Sequence, residues 1–172
     1  LIAFALLIWT GSAGLASPSL AAPTPTTTAG RARVGEQAPA LRLRRIAGAQ
    51  DVNLESLRGR VVLLDFWATW CGPCRSIMPM LSQTQQRLGG RGLSIVGVSR
   101  ESSRTIEAHL ARSPVTYTVA RDLGGGHTAY QVQALPTLIA IDRRGVVRLV
   151  HTGGDLRTVL PLVEQLLAEP AP

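Results

Sequence analysis

The sequence predicts an α/β domain, a central mixed β-sheet with helices on both faces and a β-hairpin extension at its N-terminal end. Three patterns carry this. Two nearly continuous apolar runs, RVVLLDF (60–66) and LSIVGVS (93–99), suit central strands covered on both faces. Each is followed by apolar residues at helical spacing. Two later runs, TLIAID (137–142) and VVRLVH (146–151), are separated only by Arg143, Arg144 and Gly145, which reads as a hairpin.

Taken in order, LRLRRI (41–46) alternates like a half-buried strand, and AGAQDVNL (47–54) reads as a turn and a short partner strand. After the first central strand, Ile77, Leu81, Thr84 and Leu88 predict a helix over 73–88. Pro73 sits in its first turn, where a missing N–H costs nothing. Pro79 lies inside it and should kink it. Gly89 and Gly90 end it. Beyond the second central strand, Ser102 or Ser103 can cap a helix running to about Arg112, with Ile106 and Leu110 on one face. VTYTVA (115–120) reads as a short strand, and GGGHTAYQV (124–132) as a flexible turn entering a brief helix. Leu156, Val159, Leu160, Val163, Leu166 and Leu167 line a last helix, which Pro161 allows to begin as late as Thr158.

The chain has 172 residues, 45% of them hydrophobic, which suits one domain with additional segments. The first 21 residues read as a signal peptide or N-terminal membrane anchor. Leu1 to Trp9 has the length of a signal h-region, and Ser19 and Ala21 could precede a cleavage site. The absence of an initiator Met and of a basic stretch ahead of the apolar run predicts a start upstream of Leu1. Residues 22–33 form a Pro/Thr/Ala-rich linker, 34–168 the folded domain and 169–172 a tail. Either reading of the first segment predicts export, to a periplasmic or other extracytoplasmic location where disulfides persist. Net charge is +7, with all 18 basic residues arginine. They are scattered and no aromatic platform interleaves them, which argues against a nucleic-acid site.

The chemistry concentrates at Cys71 and Cys74, the two cysteines of the chain. They fall where a central strand passes into a helix, Cys71 just before the helix and Cys74 in its first turn. Unpaired N–H groups and the helix dipole favour negative charge there. The thiolate is the reactive form in disulfide exchange, so this position makes a nucleophile. Cys71 can attack a substrate disulfide, and Cys74 can then resolve the mixed disulfide. A purely structural bridge across so short a loop would remove little chain entropy. A zinc site wants four ligands, and His109, His127 and His151 supply no second pair at a recognisable spacing, so no metal is expected.

DFWATWCGPC (65–74) together with LPT (135–137) resembles the thioredoxin-like fold. The leading hairpin, the LRGRVVLLDFWATWC run and the export segment resemble its TlpA/ResA/DsbE branch of thiol-disulfide oxidoreductases. The resemblance spans roughly 34–168. It implies a cis-proline at Pro136 beside the cysteines and backbone groups of Leu135 offered to an extended substrate. It also implies an exposed contact at Trp70 and a more buried Trp67. Gly72 and Pro73 match thioredoxin, a reductant, and Pro79 matches its kinking proline. Further implications are protein disulfide substrates, among them apocytochromes c, a thiol-reducing electron donor in the membrane, a monomer, and no cofactor beyond the redox-active disulfide.

Two departures stand out. Much of this branch has a glutamate three residues after the second cysteine, where this chain has Ile77. It commonly has asparagine before FWATWC, where this chain has Asp65, as in thioredoxin. A carboxyl buried there would lose solvation and its pKa would rise, so Asp65 could exchange a proton with Cys74. The lysine that thioredoxins place nearby corresponds to about Gly97. Alternatives on the same fold are a thiol peroxidase, which wants threonine where Ala68 stands, and a copper-binding chaperone using both cysteines and a histidine.

Overall fold

The computed structural model describes residues 31–48 and 51–170. The predicted signal or anchor segment and linker residues 22–30 lie outside them. The elements are β1 (Leu43–Arg45), β2 (Val61–Phe66), α1 (Gly72–Leu88), β3 (Leu93–Ser99), α2 (Ser103–Leu110), β4 (Thr118–Asp122), α3 (Gly126–Ala129), β5 (Thr137–Ile141), β6 (Val147–Thr152) and α4 (Val159–Ala168). They form one mixed sheet in the order β1-β4-β3-β2-β5-β6.

β2 and β3 are the apolar runs, paired in parallel from Val61↔Leu93 to Phe66↔Val98. β5 pairs antiparallel to the other side of β2, and β6 antiparallel to β5. Two successive parallel crossovers, β2-α1-β3 and β3-α2-β4, step in the same direction across the sheet. Right-handed connections then place α1 and α2 on the same face. That face also receives α4, and its core contains Val61, Leu63, Leu81, Ile95, Ile106 and Val163. The opposite face is covered by α3 and the N-terminal segment, over Val62, Leu64, Phe66, Val96 and Ile139. Residues two apart in a strand share a face. Asp65 therefore points with Leu63 and Trp67 toward α1.

The N-terminal hairpin is corrected in extent. Its second strand shrinks to one bridge, Leu43↔Val52, and β1 pairs mainly with β4. Val52 makes the bridge and is buried, and the Asn53 side chain then accepts from Glu55 N–H and turns the chain into a 3-10 helix at Glu55–Leu57. β4 begins three residues later than predicted, because Val115 packs on the core from outside the sheet. Ser102 rather than Ser103 caps α2, accepting from Thr105 N–H at 3.2 Å. Packing also reaches into the predicted linker and tail. Ala32 is buried and donates to Ala129 C=O at 2.7 Å. Glu169 is gripped by the Arg148 guanidinium at 3.1 Å.

Leu81 on one face and Leu64 on the other are both sealed. Leu64→Ala and Leu81→Ala should each lower unfolding free energy by about 2–5 kcal/mol in urea denaturation. If only one of them does so, only that face carries the stability.

Candidate active site

The strand-to-helix junction after β2 is where the chemistry is built. Cys71 has extended backbone, φ −79° and ψ 104°, and is the N-cap of α1. Its Sγ accepts a hydrogen bond from Cys74 N–H at 3.2 Å, the task a Ser or Asp oxygen performs at most helix starts. Gly72 and Pro73 occupy the first two helical positions. Cys71 and Cys74 are joined in a disulfide with their Cα atoms 5.3 Å apart. Cys71 is 4% exposed and Cys74 0%, so an approach from solvent meets Cys71 first.

The loop ahead of Cys71 is pinned by a residue that no local pattern in the sequence marks. Glu101 accepts from Thr69 N–H and from the Thr69 hydroxyl, both at 2.7 Å. Ser99, at the end of β3, supports that carboxylate at 3.3 Å. The partners are 32 residues apart, and only the parallel pairing of β2 with β3 brings them together. This anchoring leaves Trp70 projecting, 73% exposed, while Trp67 is sealed in the core.

Asp65, next to the last residue of β2, is fully buried on the face that α1 covers. Burial raises its pKa from 3.8 to about 7, partly offset by the nearby Tyr117 hydroxyl. Neither carboxylate oxygen has a hydrogen-bond partner of normal geometry, nor do Tyr117 Oη and Trp67 Nε1. Gly97 pairs with Asp65 across the sheet. A Cβ there would stand 3.1 Å from Trp67 Nε1 and 3.2 Å from the Tyr117 ring. The small residue at the place of the thioredoxin lysine thus makes room for two aromatic side chains.

Leu135-Pro136 is a cis peptide. Pro136 C=O accepts from Gly153 N–H at 2.8 Å, and a Cβ on the adjoining Gly154 would stand 3.4 Å from Ile77 Cγ2 and 3.7 Å from Pro73 O of α1. The segment bonded to the proline thus runs close to the helix start. No hydrogen bond among the described residues uses the backbone of Leu135, which leaves that edge available to an extended chain. Trp70 and Leu135 share a groove of about 280 Å³ with Ala68, Glu101, His127 and Gln133. A larger cavity of about 610 Å³, bordered by Leu41, Leu43, Leu54 and Arg58, lies on the other face and holds none of the predicted site residues. Among the described residues, no three His, Cys, Asp or Glu side chains are grouped to hold a metal ion.

A disulfide at a helix N-cap, a buried carboxyl on the strand that leads to it and a cis-proline opening the adjoining strand together define a thiol-disulfide oxidoreductase of the thioredoxin fold. The AhpC/TSA family model matches residues 34–150, and the chain belongs to that family. ResA, a thiol-disulfide oxidoreductase of Halalkalibacterium halodurans, is 32% identical over 140 residues, covering 80% of this chain and 75% of the relative. The thioredoxin-like protein YneN of Bacillus subtilis is 32% identical over 123 residues, 69% of this chain and 71% of the relative. A crystal structure from Chlorobium tepidum, described as a thiol:disulfide interchange protein DsbE, superposes with a TM-score of 0.71 at 37% identity, covering 80% and 97% of the two chains. These likenesses are consistent with the TlpA/ResA/DsbE branch.

The Asp65 carboxyl has a testable signature. The folded protein keeps this proton to about pH 7, whereas an unfolded chain releases it near 3.8. Stability from this group is therefore fully present below about pH 4 and lost as pH rises through 7. In the oxidised protein the loss should be on the order of 4 kcal/mol. Asp65→Asn should flatten the corresponding part of the pH profile in urea denaturation at pH 4 to 8; an unchanged profile contradicts the shift. Glu101→Ala should cost about 1–3 kcal/mol, because Thr69 N–H loses its partner. It should also slow exchange with a protein disulfide roughly tenfold, since the loop before Cys71 is released. Thermal unfolding and stopped-flow tryptophan fluorescence measure the two effects.

Proposed function

We propose that Cys71 is the attacking sulfur and Cys74 the resolving one, and that the enzyme acts as a reductant of protein disulfides outside the cytoplasm. What carries the role assignment is position at one helix start: Cys71 is the N-cap, outside the helix proper, whereas Cys74 lies in the first turn and is fully sealed. A Cys71 thiolate would receive the N–H groups of the first turn of α1 and the positive end of its dipole. It attacks one sulfur of the substrate disulfide, forming a mixed disulfide and releasing the other substrate sulfur as a thiol after it gains a proton. Cys74 then attacks Cys71 Sγ, closing the pair seen here and releasing the second substrate thiol. For that step Cys74 gives up a proton, and Asp65 beneath it accepts it. Titration near neutrality suits the carboxyl to both accept and return the proton.

Leu135 and Pro136 hold the substrate as an added strand, and Trp70 covers it. Gly72 and Pro73 support the reducing direction through their match to thioredoxin. A thiol-reducing donor in the membrane would restore the dithiol, with the N-terminal segment holding or delivering the domain there. Apocytochromes c are the substrate class suggested by the branch, with Ile77 as the departure from its usual glutamate. No organic cofactor or metal enters these steps.

The deciding experiment is trapping in the native host. Cys74→Ala should accumulate mixed disulfides on Cys71, visible as dithiothreitol-sensitive bands on non-reducing gels, and their identification names the substrates. Capture by Cys71→Ala instead would reverse the two roles.

A further inference from the structure

Asp122 ends β4 and is followed, after Leu123, by three glycines and His127. Gly124 and Gly125 take φ of +137° and +85°, which glycine alone enters freely. The turn wraps the backbone around the carboxylate. Oδ1 accepts from Gly124 N–H at 2.9 Å and Gly126 N–H at 3.2 Å, and Oδ2 from His127 N–H at 3.0 Å. A Cβ on Gly126 would stand 2.9 Å from Asp122 Oδ2, so the closure requires glycine there as well. Oδ2 also meets His127 Nδ1 at 2.8 Å.

This pair is buried and its ionisation is set by its surroundings. Burial pushes the Asp122 pKa up, but the bonds from His127 and the three backbone N–H groups outweigh it and hold it below its ordinary value. Burial pushes His127 down, opposed by the bond to Asp122, with Arg100 adding to the lowering. Asp122 is therefore charged and His127 neutral near pH 7. A carboxylate only accepts, so the ring proton sits on Nδ1 and Nε2 keeps its lone pair.

With Nδ1 turned to Asp122, Nε2 is the ring nitrogen left for the groove that His127 lines. His127 is 5% exposed, and its Nε2 makes no hydrogen bond among the described residues. The ring lines the same groove as Trp70 and Leu135. Phe66 holds it edge-on, with ring centroids 5.0 Å apart. The charged groups around it are Asp122, Arg100 and Glu101, and both Glu101 oxygens are already used by Thr69.

We propose that His127, oriented by Asp122, is an acceptor subsite of the substrate groove, taking a hydrogen bond from a donor side chain near the cysteine of the polypeptide exchanged at Cys71. It deepens the reading of the groove as the substrate site and rests on it. An oriented, nearly buried acceptor discriminates against a ligand that leaves it unpaired.

The test uses disulfide-linked peptides carrying serine or O-methylserine, which accepts but cannot donate, at each position near the cysteine. With the reduced wild-type protein, serine should be favoured at one position by about tenfold or more in kcat/KM. His127→Leu should bring that preference to within about twofold. In Asp122→Asn the new amide donates to Nδ1 and moves the ring proton to Nε2. The subsite then becomes a donor, and O-methylserine should be used as well as serine, which separates hydrogen bonding from the size of the added methyl group. If His127→Leu does not fold, Asp122→Asn decides alone. No serine preference at any position in the wild type, or a preference that survives in the folded variants, overturns the subsite. Exchange with the peptide disulfides themselves is the control. Failure of the reduced wild type to exchange with any of them removes the substrate-groove reading and the subsite together, whereas exchange without a serine preference removes the subsite alone.

Discussion

The bond from Cys74 N–H to Cys71 Sγ is the constraint around which the site is organised. A sulfur occupies the place where a helix needs an acceptor, so the reactive atom and the start of α1 are formed by the same residue. Relaxing the cap would leave Cys74 N–H without a partner. The central sheet fixes where this occurs. β2, flanked by β3 and β5, delivers Cys71 at the rim of the sheet, and α1 packs back over Leu63 and Trp67. Glu101 secures the connecting loop from the end of the neighbouring strand.

Two aspartates at strand ends illustrate how local hydrogen bonding decides ionisation at similar depth. Asp65 and Asp122 are both buried, and burial disfavours charge in each. Asp65 has no backbone donors and remains protonated to near neutrality. Asp122 is enclosed by three N–H groups and a histidine, and ionises more readily than an ordinary aspartate. The first arrangement suits a group that must exchange a proton; the second suits a fixed charge that orients a neighbour.

Much of this was legible in the chain. The CGPC spacing at the end of an apolar run marked a strand-to-helix redox site, and the apolar stripes marked α1 and α4. Asp65 was identifiable through its match to thioredoxin, at the end of a buried strand where a carboxyl would lose solvation. Less legible were features built across long separations. Glu101 sits in an unremarkable polar stretch, and nothing near it signals Thr69. The glycines 124–126 read as a flexible turn, although they form a tight collar whose purpose appears only once Asp122 and His127 are seen together. The N-terminal hairpin was overestimated because alternation in 41–46 does not reveal which strand will be its neighbour.

The chain by itself determined the alternation of strands and helices, the core faces and the identity of the redox pair, since these depend on periodicity and on residues close in sequence. Tertiary structure decided which carboxyl would be bare and which enclosed, which loop would be held and what would line the groove. Those outcomes depend on strand order and on backbone N–H groups converging from distant segments, and hydrophobic periodicity encodes neither.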